Sequence, residues 1–479
     1  MVFQLSGILN KDKVFLVKRS ELEERLDCEY YNPSHYRDLA LLEKSTYSTL
    51  KLKNICARIV DGPFGSAIKA DDYVVDGVPF IRVADVTHGE GTIKNDNLIY
   101  ISHDAHKVIS RSKVIPGDVV IAKTGATMGA ASVVPDEIPE ANIRGDLAAI
   151  TLLKEHCSAE YAITYINTQL GQRLFWRLDS GGTRGRVVIG NLKKYPVVIP
   201  PHDLQKNIVS KMNAARASKK QKEAQAQQLL DSIDNYLLNK LGIELLPEEG
   251  NNISQRMFVR KFSEVSGGRY DASFYLPKYK ALTDAIRKEP NCGFCDLVGL
   301  SNELWDQVSL FQTTFPYIEI GEIDTTTGEI KAITDLDINE APSRAKIVVK
   351  TGDLLISTTR PTRGAIALFN GELAIASTGF CVVKKVNYNR VNKMYLFHVL
   401  RSHLCRNQME QRSSGGNYPA ITTEELKKMF IPLPTLEKQN EIAAHIQDIR
   451  DQAKQLRAEA AAGLEHAKRE VEMMILGQD

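Results

Sequence analysis

The chain has 479 residues, 43% hydrophobic and 25% charged, with 61 basic against 59 acidic side chains. Its length exceeds one ordinary core and predicts two to four domains, while the near-neutral balance excludes a uniformly basic nucleic-acid coat but not a local basic cleft. No stretch approaches the ~20 apolar residues of a membrane span and no signal-peptide run opens the chain, so a cytoplasmic protein with its seven cysteines free is expected.

In chain order, four stretches recur. RLDCEYYNPSHY (25–36) returns as RYDASFYLPKY (269–279), and VPFIRVADVTHGEGTIK (78–94) as FPYIEIGEIDTTTGEIK (315–331). VIPGDVVIAKTGATMGAA (114–131) returns as VVKTGDLLISTTRPTRGAI (348–366). SGGTRGRVVIGNLKKYPVVIPPHDLQ (180–205) returns as SGGNYPAITTEELKKMFIPLPTLEKQ (414–439). The offset falls from 244 to 234, so the second copy has lost about ten residues, mostly before Phe315. Two divergent copies with a period near 240 predict two similar domains and not a solenoid.

Within each copy the first two-thirds reads as mostly β. Val- and Ile-rich runs such as DVVIAKT, LAAITLL, GDLLIST and FCVVKKV lie between Gly, Pro and Asp. One amphipathic helix interrupts each copy, at SAEYAITYINTQLGQRLFWRL and VNKMYLFHVLRSHLCRNQMEQR. The last third is proline-free and rich in Ala, Gln, Lys and Glu, which favours a long helix. A heptad seam runs through Ile208, Met212, Ala215, Lys219, Lys222, Ala226, Leu229, Ile233 and Tyr236. At an offset of 234 it recurs as Ile442, Ile446, Ile449, Ala453, Leu456, Ala460, Gly463, Ala467 and Glu470. Such helices could each lie on their own domain. At 35–40 residues, however, they would span roughly 50–60 Å, longer than a small domain is wide. Antiparallel pairing is therefore expected, giving an α+β dumbbell with approximate two-fold symmetry. Two reading heads at fixed separation suit a linear repeating ligand, and double-stranded DNA fits best.

These motifs, in this order and twice over, resemble the specificity subunit of type I restriction–modification systems. DGPFGSAIKADDY (61–73) with GVPFIRVADV resembles the opening of that family's target recognition domains. GDVVIAKTGATMG and GDLLISTTRPTRG resemble its mid-domain glycine motif, and the Ser-Gly-Gly segments its closing element before a spacer helix. The resemblance divides the chain into a first recognition domain (1–203), a long helix (204–243), a linker (244–256), a second recognition domain (257–435) and a second long helix (436–479). It implies a non-catalytic subunit that reads an asymmetric, bipartite DNA target. Its paired helices dock two methyltransferase subunits and, where present, restriction/translocase subunits. No cofactor is expected on this chain; S-adenosylmethionine, ATP and Mg belong to the partners.

The residues agree with a chain that does no chemistry of its own. There is no [DNS]-P-P-[FYW] methyltransferase motif, and GATMGAAS lacks the lysine of a phosphate loop. The single CxxC, Cys292 and Cys295, has no second ligand pair, so no metal is expected. DNA contacts are sought among Lys, Arg, Asn and an exposed aromatic on glycine-rich loops. The candidates are Lys69, Lys123, Arg184 and Arg186 in the first domain, and Arg360, Arg363, Arg412, Asn417 and Tyr418 in the second. The alternative at each position is a glycine turn with a solvated cation. The loop tips differ, Thr-Arg-Gly-Arg against Asn-Tyr-Pro-Ala, which predicts different half-sites. Other readings left open are the recognition subunit of a type IIB-like system, a stand-alone DNA-modifying enzyme and a tandem β-domain adaptor that binds no DNA.

Overall fold

The computed structural model describes residues 14–22, 25–63, 67–86, 91–93, 97–181, 185–245, 257–265 and 268–478. Of the expected linker, residues 246–256 lie outside the described residues. The chain divides into two compact units, Met1–Lys222 with Ala458–Asp479, and Glu223–Arg457.

The first unit holds an antiparallel sheet in the order Cys56–Asp61, Leu147–Leu152, Val119–Ala122, Ala131–Val133. Its second sheet runs Tyr73–Val74, Ile99–Ile101, Val78–Ile81, Ala141–Ile143, Lys113–Val114, with Val78–Ile81 parallel to Ala141–Ile143. The second unit repeats both orders. Its sheets are Val298–Leu300, Phe380–Val386, Leu354–Ser357, Ile366–Leu368, and Thr334–Asp337, Thr314–Ile318, Leu373–Ser377, Ala345–Lys350. The parallel pair is likewise kept. Among the described residues the edge strand Tyr73–Val74 has no counterpart, and it falls where the second copy is shorter.

Successive side chains of a strand point to opposite faces, and here both faces are covered. Val119 and Ile121 enter the core shared with the helices, while Val120 and Ala122 enter a second core between the sheets. Leu354 and Ile356 separate from Leu355 in the same way. This explains why DVVIA and DLLIS read as continuous apolar runs and not as an alternation.

Each stretch read as one amphipathic helix is two. The first is Ala159–Ile166 then Gln169–Trp176, and the second is Lys393–Arg401 then His403–Arg412. Thr168 causes the first break, since its hydroxyl accepts the Gly171 N–H at 3.0 Å and starts a new helix. Ser402 causes the second with an extended backbone at ψ 162°.

The long helices run His202–Leu241 and Leu436–Leu476. In the first unit Ile208 and Met212 share one buried core with Val471 and Ile475. In the second unit Ile233 and Leu237 share one with Ile442, Ile446 and Ile449. The beginning of each helix therefore meets the end of the other, an antiparallel pairing. Leu229 and Leu456 are half-buried on the same stripe. The seam departs from its heptads near the C-terminus. Gly463 is exposed and Glu470 pairs with Lys211 at 2.9 Å, while Ala467, Val471 and Ile475 continue the buried stripe at steps of four.

A buried glutamine fixes where each domain enters its long helix. Gln205 donates to the carbonyls of His156 and Pro200, both at 2.9 Å, and accepts the Ser158 N–H at 3.3 Å. Gln439 donates to Arg390 at 3.0 Å and Pro434 at 2.8 Å, and accepts the Asn392 N–H at 2.8 Å. Buried backbone groups need partners, and one amide satisfies three of them here. Gln439→Leu keeps the bulk and strands those groups, so it is expected to lower stability by about 2–4 kcal/mol in denaturant unfolding. Lys220→Ala, at an exposed site of the first long helix, is expected to stay within about 0.5 kcal/mol of the parent. Equal, small effects of both would contradict the junction's role.

Candidate nucleic-acid interface

In the first unit the Ser-Gly-Gly loop crosses the glycine motif through backbone hydrogen bonds. Gly125 N–H donates to the Gly185 carbonyl at 3.1 Å and Val187 N–H to the Lys123 carbonyl at 2.8 Å. A third loop joins where Lys123 N–H donates to the Asp146 carbonyl at 3.0 Å. The second unit builds the same ladder with different residues. Arg360 N–H donates to Pro419 at 2.7 Å, Ile421 N–H to Thr358 at 2.9 Å and Thr358 N–H to Gly379 at 2.8 Å. Each half of the duplication thus brings three loops, distant in sequence, to one crossing.

The exposed side chains on the two crossings differ. In the second unit the Arg360 guanidinium lies 4.2 Å from the Tyr418 ring centroid and donates to the Asn417 carbonyl at 3.0 Å. Tyr418 is 70% exposed, and Asn417 and Arg363 are also exposed. Among the described residues neither arginine is paired with a carboxylate. In the first unit Arg186 is exposed, and its backbone N–H is held by the Asp179 carboxylate at 2.7 Å. Arg184 lies outside the described residues. Lys69 is exposed ahead of the edge strand Tyr73–Val74, and among the described residues no hydrogen bond or ion pair joins its side chain to the crossing.

Two candidates require correction. The strand alternation of Val119–Ala122 carries one residue further and buries Lys123 to 1% exposure, with Nζ 3.8 Å from the Asp61 carboxylate. Burial holds its ammonium below the ordinary lysine range, and nearby Asp61 only partly opposes that. Arg412 ends a helix facing inward, where Nη1 donates to Glu425 at 3.3 Å. Desolvation lowers its pKa against the pull of Glu425. Neither cation stands exposed on a loop as the sequence reading expects: Lys123 is enclosed, and the Arg412 side chain is 12% exposed and paired to Glu425.

Sequence reasoning missed other participants. Asp179 accepts the Gly181 and Arg186 N–H groups and so sets the loop's shape; it immediately precedes Ser-Gly-Gly, where the other copy has Ser413. Arg144, 54% exposed at its side chain, stands 3.7 Å from Asp146 on the third loop. Its signal is the glycine-punctuated NIRGD turn (142–146). Trp176 is 41% exposed beside Gly185, at the end of a helix whose periodicity suggested only core. Among the described residues, no three His, Cys, Asp or Glu side chains gather as metal ligands. No helix among them is long and apolar enough to cross a membrane.

The chain matches the family model of the type I restriction modification DNA specificity domain twice, over residues 44–229 and 306–465. It is 21% identical over 285 residues to the MjaVIII type I restriction enzyme specificity subunit of Methanocaldococcus jannaschii, covering 53% of this chain and 59% of that one. It is 30% identical over 110 residues to the HindI type I restriction enzyme specificity subunit of Haemophilus influenzae, covering 22% of this chain and 24% of that one. Both alignments span less than two thirds of the relative's length. The fold is shared with a chain solved in work on complex assembly and conformational transition of the type I R-M system, at a TM-score of 0.53 and 15% identity over 90% of this chain and 98% of that one. With two copies of the specificity domain covering most of its length, the chain belongs to the type I restriction modification DNA specificity family.

Proposed function

We propose that this chain is the DNA-sequence-specificity subunit of a type I restriction–modification complex. Each three-loop crossing contacts one half of a bipartite, asymmetric double-stranded target. The paired long helices dock two methyltransferase subunits, together with restriction/translocase subunits where these are present. The chain performs no bond chemistry. S-adenosylmethionine for adenine methylation, and ATP with Mg for translocation, would be held by the partners.

The observation that carries this reading is the duplicated crossing, with one backbone ladder built twice under two different sets of exposed side chains. A constant frame with variable tips suits two readers of unlike sequences. Base edges are read by planar donors on a rigid support, which Arg360 and Asn417 supply in the second unit. Phosphates are met by exposed cations, and this reading assigns Arg363, Lys69 and Arg186 to them. Arg184, outside the described residues, keeps its sequence-based assignment to the first loop tip.

Co-expression with a partner methyltransferase and long-read mapping of methylated adenine tests the assignment. One asymmetric bipartite motif is expected, present only when this chain is present. Methylation by an active partner that is unchanged on deletion of the chain would overturn it. In the assembled complex, Arg363→Ala is expected to weaken binding evenly across target and non-target DNA. It should also lower the slope of log affinity against log salt by about 0.9. An unchanged slope, read by fluorescence anisotropy, would remove Arg363 from the phosphate contacts.

A further inference from the structure

The two glycine-motif turns occupy the same place in the backbone ladder, yet one residue differs in kind. In the first unit the position is Gly125, with φ +80° and no heavy atom within 4 Å of where a Cβ would stand. In the second unit it is Arg360, with φ 48° and ψ 52°, the left-handed region. Glycine enters that region freely, whereas a residue with a Cβ is disfavoured there. Backbone strain at one member of a repeat, where the other carries glycine, needs a reason in the side chain.

The surroundings of that side chain supply one. Tyr418 stacks on the guanidinium, the Asn417 carbonyl takes one Nη2 donor, and the Pro419 carbonyl fixes the backbone N–H. Among the described residues its remaining donors make no hydrogen bond. The result is a planar fork held on one face with a free donor edge at an exposed rim. A phosphate contact needs no such immobilisation, since a mobile cation serves it. A guanine edge does, because O6 and N7 demand two parallel donors in one plane.

We infer that Arg360 is a specificity-determining residue of the second domain. Its guanidinium, laid on Tyr418, reads one guanine through O6 and N7. Gly125 leaves the first half-site without that contact. This rests on the reading of the chain as a specificity subunit.

The test maps adenine methylation by the full complex carrying wild-type chain, Arg360→Gly, Arg360→Lys or Tyr418→Ala. Arg360→Gly installs the residue the first domain uses in the same turn, and a thermal melt of the free chain should show no loss of stability. The expected result is one guanine position becoming degenerate in one half-site, with preference reduced roughly 5- to 150-fold. The other half-site and the gap should be unchanged. Arg360→Lys, which keeps the charge without the planar fork, should weaken that preference, as should Tyr418→Ala. A motif unchanged in Arg360→Gly overturns the assignment, as does a uniform fall in methylation with no base relaxed, which would mark a phosphate contact. A bipartite motif that depends on the wild-type chain upholds the specificity reading in either case, so the two claims fail separately.

Discussion

A helix of some forty residues with an apolar stripe along its length cannot be covered by one small domain, and this constraint organises the chain. The stripe is buried in each unit by the far end of the other long helix, so the first compact unit takes in the distant segment Ala458–Asp479, while the second is the continuous stretch Glu223–Arg457. Large residues sit where the helices also meet their domains, at Ile208 and Met212 and again at Ile442 and Ile446. Between those sites the stripe is richer in small residues, Ala215, Ala226, Ala453 and Ala460, with Leu229 and Leu456 half-buried and Lys222 pairing to Glu459 at 2.6 Å. Each fully buried isoleucine contributes about 1.5–3 kcal/mol, whereas an exposed ion pair contributes under about 1, so the ends hold the pairing.

What the duplication preserves is mainly the satisfaction of buried backbone. Besides the two glutamines, Tyr161 donates to Val198 at 2.7 Å and Tyr395 to Pro432 at 2.8 Å. Arg25 and Arg269 each fork onto a neighbouring aspartate, Asp27 and Asp271, at 2.7 Å, and each also donates to carbonyls leading into the Ser-Gly-Gly loop. Tyr31 and Tyr275 donate back to the carbonyls of those arginines. Few residue types at these sites reach the same carbonyls, which accounts for polar identities surviving while apolar residues drift. The RxD…YxP echo in the sequence is therefore a loop anchor.

Much of this was legible in the sequence, and its limits have physical causes. Period and offset revealed the repeat, and helix length implied the pairing. The heptad rule failed near Gly463 because the stripe there follows steps of four. Helix breaks at Thr168 and Ser402 were hidden because apolar periodicity continues across a cap. Lys123 and Arg412 resembled ligand-facing cations because composition does not reveal which way a strand or helix end turns. The sequence offers Arg360, Asn417 and Tyr418 only as separate candidates, because their contact depends on two loops crossing, a tertiary fact. The exchange of Gly125 for Arg360 stood in the aligned copies, although its meaning required the backbone angle.

On the proposed function each domain reads its own half-site, and the repeated frame serves only to hold the reading loops. The most direct measurement replaces residues 49–198 by residues 291–432, joining at the matched two-stranded sheets Ser48–Lys51/Pro196–Ile199 and Asn291–Gly293/Phe430–Pro432. Methylation by the assembled complex is then mapped. The account predicts a motif carrying the second half-site twice and the first not at all. Retention of the original first half-site would contradict it.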